Sequence, residues 1–471
     1  MTKYILKNKF IIFLVLFFTI LRLIISYRFE LGTDEAHYVL YGRHLALSYF
    51  DHPPLVGWIH NIFIDLKFLP IQVAARIPAL LCSTLSNLLI NTWLERKNYS
   101  LQSRLLGLLG LNVAILFSAL SFFFLPDTLF LVLVPLLSLT TENLMRNKSF
   151  LNWTIFGITL GLCGITKYTA ILFLIPIIWY WFKNKRLTDL LTFQFWMAVF
   201  IAVLFVSPVL LWNLKHDFIS FKYQSGHIIS FQSLNFSSFL LAQFSLFILL
   251  GFFYMFCFPK PKNLHDRFDF YLFLTPLIFF SFFALFENFL PHWVAPFFVL
   301  ALPWGLAESY SSHLGLTKWL KSSMTAAIIL FVIIHSELAF QFLPFSASKD
   351  LYRDIQGWQN FTERSLLKSN YPLAVTNWTF GSRVKLYSEI AGQNSLTVLD
   401  HRIDQFDLWS EDFPVPANYL ILVEMKNEVQ FLNSIQCDQQ KNLGIDGPQF
   451  KNKILVDFTL VECTGFHWKN L

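Results

Sequence analysis

Over its first 343 residues the chain alternates long apolar runs with short polar punctuation, and then changes character. Apolar stretches that approach the roughly 20 residues needed to cross a bilayer fall at about 10–27, 72–93, 105–121, 127–142, 151–166, 169–182, 193–213, 236–258, 268–286, 294–308 and 322–343. The pattern predicts eleven transmembrane helices, with very short turns inside 105–142 and 151–182. The first run, Phe10 to Ile25, has no small-residue cleavage site behind it and is expected to stay as the first helix. The tail, 344–471, is mixed polar. Its β-like runs Tyr419–Val423 and Ile454–Leu460 and the turn signal Asp446-Gly447-Pro448 predict a small α/β or α+β domain. No solenoid repeat or low-complexity linker interrupts this division into 1–343 and 344–471.

Basic residues orient the spans. Lys3, Lys7 and Lys9, then Arg96, Lys97 and Arg104, then Arg146 and Lys148, then Lys183, Lys185 and Arg186, then Lys260, Lys262 and Arg267, then Lys318 and Lys321 all fall on one side of an eleven-span arrangement. That side is expected to be cytoplasmic. The other side receives the loop at 28–71, the turns near Pro126 and Lys167, the loop at 214–235, the segment Glu287 to His292 and the tail. The expectation is an inner-membrane protein with its N-terminus inside and its C-terminal domain periplasmic.

Composition agrees. The chain is 55% hydrophobic and 14% charged and holds 55 Phe, against roughly 25% charge in a soluble domain; its mean hydropathy is +0.51. The formal charge of +6 lies in clusters between apolar runs, which gives no footprint for nucleic acid. Cys82, Cys163 and Cys257 sit in apolar runs as packing residues. Cys437 and Cys463 lie in the tail, either as a disulfide in an oxidising compartment or as two free or buried thiols.

Polar chemistry concentrates in the first external loop, which reads ELGTDEAHYVLYGRHLALSYFDHPPLVGW over 30–58. Ala36–Leu47 is predicted to form an amphipathic helix lying on the membrane, with Thr33 as its cap and Asp34 and Glu35 in its first turn, favoured by the helix dipole. A carboxylate fixed there is suited to act as a general base or to orient a hydroxyl; the bland alternative is a pair of solvated loop acids. Pro53-Pro54 forces a turn, for which Asp51 and His52 are either caps or site residues.

The string DEAHYVLYGRHLALSYFDHPPLVGW resembles the first external loop of the bacterial dolichyl-phosphate-mannose–protein mannosyltransferase-type glycosyltransferases, which include the lipid A aminoarabinose transferases. ARIPAL at 75–80, LPDTLF at 125–130, GITKYTA at 164–170, SPVLLWNLKHDFISFKYQ at 207–224 and PHWVAPFF at 291–298 follow in the same order, so the resemblance spans about 30 to 300. It implies the GT-C membrane fold, a polyprenyl-phosphate monosaccharide as donor, and an inverting displacement at the outer face. It further implies that Asp34 is the catalytic aspartate, with Glu35 beside it. The acceptor it implies is lipid A or another envelope glycan, with a protein hydroxyl as the alternative.

The residues themselves fit these demands. A phosphate leaving group needs positive charge or donors near the bilayer surface. Lys167, with Tyr168, lies between two short apolar runs and either binds phosphate or snorkels to the headgroups. Arg76 is placed near the outer end of the second span. Asp127 is either a helix N-cap or part of the site, and Lys215, His216 and Lys222 are further cations of an external loop. His292 stands beside Trp293 at the interface. His52, His292 and a carboxylate are the one metal set the loops offer. No ligand pair has helical metal spacing, so neither a metal nor another cofactor is expected. A transporter or flippase of lipid-linked anions is the rival class, and a non-catalytic assembly factor a third. The gathering of polar residues in external loops, rather than in broken repeats at the midplane, favours the enzyme.

Overall fold

The computed structural model describes residues 8–66, 68–229, 260–283, 291–312, 317–343, 351–393, 396–400, 402–410 and 418–469. It divides into two compact units. The first comprises Met1–Ser26, Ala46–Ile59 and Arg76–Gln341, and the second Tyr27–Leu45, His60–Ala75 and Phe342–Leu471. Two pieces of the predicted external loop therefore fold with the tail, a grouping that periodicity does not show.

Among the described residues, five helices are long and apolar enough to cross a membrane: Lys9–Ser26, Ile71–Arg96, Pro126–Arg146, Phe193–Lys215 and Lys318–Phe340. Four of the other expected spans are broken or short. The run at 105–121 splits at the extended residue Ala114 into Leu101–Val113 and Ile115–Leu120. The run at 151–166 is the 15-residue helix Phe150–Gly164. Those at 169–182 and 294–308 begin as 3-10 turns, Tyr168–Phe173 and Pro291–Phe297, before becoming α-helical. The run at 268–286 is the helix Leu264–Phe283, with Asp266 in its first turn. The span at 236–258 lies outside the described residues. Irregular backbone at membrane depth needs protein, not lipid, around it, and Ala170, Leu172 and Phe173 of the Tyr168–Phe173 turn are indeed buried. Close packing is permitted by small residues: a Cβ on Gly157 would lie 2.6 Å from the Ala198 carbonyl oxygen, and one on Gly161 2.7 Å from Phe205 Cβ.

The second unit is built on a five-stranded sheet of β1 (Leu373–Val375), β2 (Leu396–Val398), β3 (Tyr419–Glu424), β4 (Gln439–Asp446) and β5 (Phe458–Thr464). The strand order is β2-β1-β3-β5-β4. β1 pairs in parallel with β2 and β3, in the register Leu373↔Leu396 and Leu373↔Leu420. β5 runs antiparallel to β3 and β4, with Ile421↔Val461. Alternation along β3 explains its complete burial. Leu420 and Leu422 join Phe458 and Leu460 in one core with Trp358, Phe361, Phe380 and Val384, while Tyr419, Ile421 and Val423 enter a second core with Ile435 and Cys463.

Ala36, Val39 and Leu40 also lie in the first of these cores. The predicted surface helix is therefore a core helix. It runs Thr33–Arg43 with Gly32, not Thr33, as N-cap, and every residue from Glu35 to Gly42 is buried. It lacks an amphipathic stripe because protein covers it on more than one side, chiefly the helix Trp378–Ile390.

Cys437 is disulfide-bonded to Cys463 of β5, across a sequence separation of 26. Closing a loop of that length restricts the unfolded chain by about 3–4 kcal/mol. Cys437→Ser/Cys463→Ser is expected to lower the thermal midpoint of the second unit, and reductant to lower the wild-type midpoint equally. Differential scanning fluorimetry with and without reductant checks both.

Candidate active site

The acidic helix is held at both ends within the second unit. The Thr33 backbone N–H and Oγ1 donate to Asp354 at 3.2 and 2.6 Å, and Arg383 Nη1 donates to the same carboxylate at 2.5 Å. Gly32 fits this turn because a Cβ there would come within 2.8 Å of Asp354 Oδ2. At the far end Arg43 Nε and His44 Nε2 meet Glu389 at 2.6 and 2.7 Å. In the middle, His37 bridges Ser382 Oγ at 3.2 Å and the Tyr41 hydroxyl at 3.1 Å, and its ring packs against Trp378 and Phe406.

The two acids are treated differently. Glu35 is buried, and its Oε2 accepts the Gly32 N–H at 3.2 Å, closing the N-terminus of the helix. Asp34 is exposed. One carboxylate is thus committed to the fold while its neighbour faces outward on a rigid first turn.

The first unit gathers a second group. Asp127 lies one residue inside the helix Pro126–Arg146, whose N-cap is Leu125, so it is not the cap. Its two oxygens accept from Lys167 Nζ at 2.8 and 2.9 Å. With side chains only 12% and 8% exposed, Lys167 does not snorkel; its partner is internal. His52 feels both charges. Burial pushes its imidazole below the usual value and Lys167 adds to this, against Asp51 and Asp127. The loop carrying it is tied down: the Asp51 carbonyl accepts from Gln224 Nε2 at 2.8 Å, and the Tyr49 carbonyl from Ser220 Oγ at 2.9 Å. The Tyr168 hydroxyl is buried close to Ser48, Asn213 and Ser220 without forming a hydrogen bond of good geometry.

Asp51, His52, Asp127, Lys167 and Tyr168 therefore share one neighbourhood of the first unit, whereas Asp34 and Glu35 belong to the second. Arg76 is buried, donates to the Ser26 carbonyl at 3.2 Å and lies over the Phe122 ring at 4.4 Å. Lys215 and Lys222 are exposed, and His216 stacks on Trp212 at 4.0 Å. The side chain of His292 lies outside the described residues. No trio of His, Cys, Asp or Glu gathers as a metal cage among the described residues. Asp354, Arg383 and Glu389 were not legible in the sequence, because Asp354 and Glu389 meet the acidic helix across more than 300 residues, Arg383 reaches it through Asp354, and none sits in a motif.

Residues 51–212 match the family model described as dolichyl-phosphate-mannose-protein mannosyltransferase. No curated protein gives a significant match. The fold is shared with ArnT from Cupriavidus metallidurans. Its crystal structure bound to undecaprenyl phosphate aligns at 12% identity with a TM-score of 0.61, covering 95% of this chain and 97% of that one. The apo state aligns at 11% and 0.60, with the same coverage. The arabinofuranosyltransferase AftD from Mycobacteria aligns at 11% and 0.51, covering 96% of this chain and 41% of that one. The chain is a multi-pass membrane protein of the GT-C fold, and the family model that its residues 51–212 match is one of glycosyltransferases.

Two predictions arise here. Lys167→Met leaves Asp127 buried without its cation and is expected to cost about 3–5 kcal/mol, while Lys167→Met/Asp127→Leu recovers much of that loss. Thermal unfolding of the three variants in detergent measures the coupling, and additive losses would contradict it. In the second unit, burial pushes the Asp404 carboxyl up to about 7, with Asp400 and Asp407 adding and the Phe406 N–H and His37 opposing. The folded state thus keeps a proton that the unfolded chain releases near the ordinary carboxylate value. Stability present in acid is lost as pH rises from about 4 through about 7. Stability is expected to fall between about pH 5 and about pH 8, read as a falling thermal midpoint, and Asp404→Asn to reduce the loss of stability by about 1–3 kcal/mol.

Proposed function

We propose that the protein transfers a monosaccharide from a polyprenyl-phosphate donor to lipid A or another envelope glycan at the periplasmic face of the bacterial inner membrane. The observation that carries this reading is the exposed Asp34 on the first turn of a helix locked by Glu35, Asp354 and Glu389, in a chain with the GT-C fold. The structural neighbour that binds undecaprenyl phosphate supports the donor class. The basic clusters support a cytoplasmic N-terminus, and the Cys437–Cys463 bond supports an oxidising compartment for the second unit.

The reaction is a single displacement. An acceptor oxygen forms a bond to the anomeric carbon as the bond from that carbon to the phosphate oxygen breaks, which inverts the centre and releases polyprenyl phosphate. When the acceptor is a hydroxyl, Asp34 takes its proton. When the acceptor is a phosphate, already ionised, Asp34 orients it. Glu35 acts through the helix cap and is a positioning residue. In the first unit, Lys167 is held by Asp127 and stands by His52, which burial keeps neutral near pH 7. Lys167, Arg76 and their polar neighbours are the first unit's candidates for binding phosphate. No cofactor enters the step.

The test is mass spectrometry of lipid A and envelope glycans from cells carrying wild type, a deletion and Asp34→Asn, with expression of the variant confirmed. A sugar missing in both mutants is expected, since loss of a general base costs about 100-fold or more in rate. Loss in the deletion alone, with Asp34→Asn fully active, would remove Asp34 from the reaction and reopen the transporter reading.

A further inference from the structure

Arg22 lies within the first apolar helix, Lys9–Ser26, and is 2% exposed. Its hydrogen bonds all go to neutral groups. Nη1 donates to Ser83 Oγ at 3.0 Å and Nη2 to Asn112 Oδ1 at 3.1 Å, and the guanidinium lies 5.4 Å from the centre of the Phe18 ring. No carboxylate pairs with it among the described residues, and the titratable side chain that feels its charge is His335, another base. Lys97, Arg104 and Lys167 of the same unit each pair with an acid. A lone charge buried in protein is costly, and more so in a membrane-spanning helix.

The two groups that accept from Arg22 also line a cavity of about 10 Å³, room for one small occupant. Donors remain unspent around it. Ser83 Oγ accepts from Arg22, which leaves its hydroxyl hydrogen to give. Asn112 donates to Asn87 Oδ1 at 2.7 Å, and Asn87 uses one of its two amide hydrogens on the Ser83 carbonyl at 2.8 Å. The Ser121 hydroxyl makes no hydrogen bond among the described residues. Phe117 and Leu131 close the space with apolar surface, so the field of Arg22 reaches it little screened. The cavity is too small for a phosphate or a carboxylate, and the unanswered guanidinium stands one hydrogen bond away from it, through Ser83.

We propose that this cavity binds a single monatomic anion, chloride, as the counter-charge of Arg22. The ion ties the first helix to the helices Ile71–Arg96 and Leu101–Val113, which supply Ser83 and Asn112, at a place where no described acidic side chain does so. A water molecule would take the same hydrogen bonds and leave the charge of Arg22 unanswered.

The test is the thermal midpoint of the full-length protein in detergent as sodium chloride replaces sodium gluconate at constant ionic strength. The midpoint is expected to rise with chloride and then level off, because an ion held only by the folded chain stabilises it by mass action. Bromide should act as chloride does. Ser121→Ala removes a hydroxyl that bonds no described protein group. Its midpoint in gluconate should match wild type, while the chloride concentration that gives half the rise increases several-fold. Arg22→Gln should abolish the response. Equal midpoints in chloride and gluconate would overturn the proposal and leave the space to water. A chloride response that persists in Arg22→Gln would overturn it by placing the ion elsewhere. If Arg22→Gln does not fold, Ser121→Ala decides alone, since an unchanged half-saturation there removes the ion from this cavity.

Discussion

A charge withdrawn from water must find its partner inside the protein, and in this chain that requirement decides which irregularities the fold tolerates. Lys167 sits at an extended break between two short helices and is answered by both oxygens of Asp127. Arg22, buried in the first helix, donates to Ser83 Oγ at 3.0 Å and Asn112 Oδ1 at 3.1 Å. Lys97 pairs with Asp269 at 2.8 Å and with Asp266, while Trp93 and Ser138 also bond Asp269. Each tie joins segments far apart in the chain, so polar residues that would be costly in lipid become the registers along which the helices are fixed.

The second unit applies the same rule to its edge. Glu35 spends its charge on the helix cap, Asp354 on Thr33 and Arg383, and Glu389 on Arg43 and His44. Asp34 stands at the surface of an element whose ends and middle are immobilised. A site built on a rigid helix with a committed neighbour holds its geometry better than one on a loop. The surrounding buried polar contacts therefore fix the position of Asp34 without touching it directly.

Which features show in the local pattern follows the range of the forces involved. Burial of apolar runs is local and periodic, so Lys9–Ser26, Ile71–Arg96 and Lys318–Phe340 were readable as spans. The breaks at Ala114 and before Tyr168 were not, because they depend on which neighbours shield the exposed backbone. Asp127 and Lys167 were each legible as candidates, one after a proline and one between apolar runs, yet their pairing was not. The acidic helix was misread as a membrane-surface element because Ala36, Val39 and Leu40 pack on residues from Trp358 onward, which the local pattern cannot reveal.

By itself the sequence determined the membrane class, the division into an apolar body and a polar tail, and the short ordered motifs that single out Asp34, Asp127 and Lys167. These are set by composition, spacing and local backbone preference, which need no partner. Only the tertiary structure decided that parts of the first loop fold with the tail, that Cys437 meets Cys463, that Glu35 turns inward while Asp34 faces out, and that Arg383 and Asp354 stand beside them. Those outcomes arise from contacts between residues far apart in the chain, whose energies exist only once the chain has brought them together.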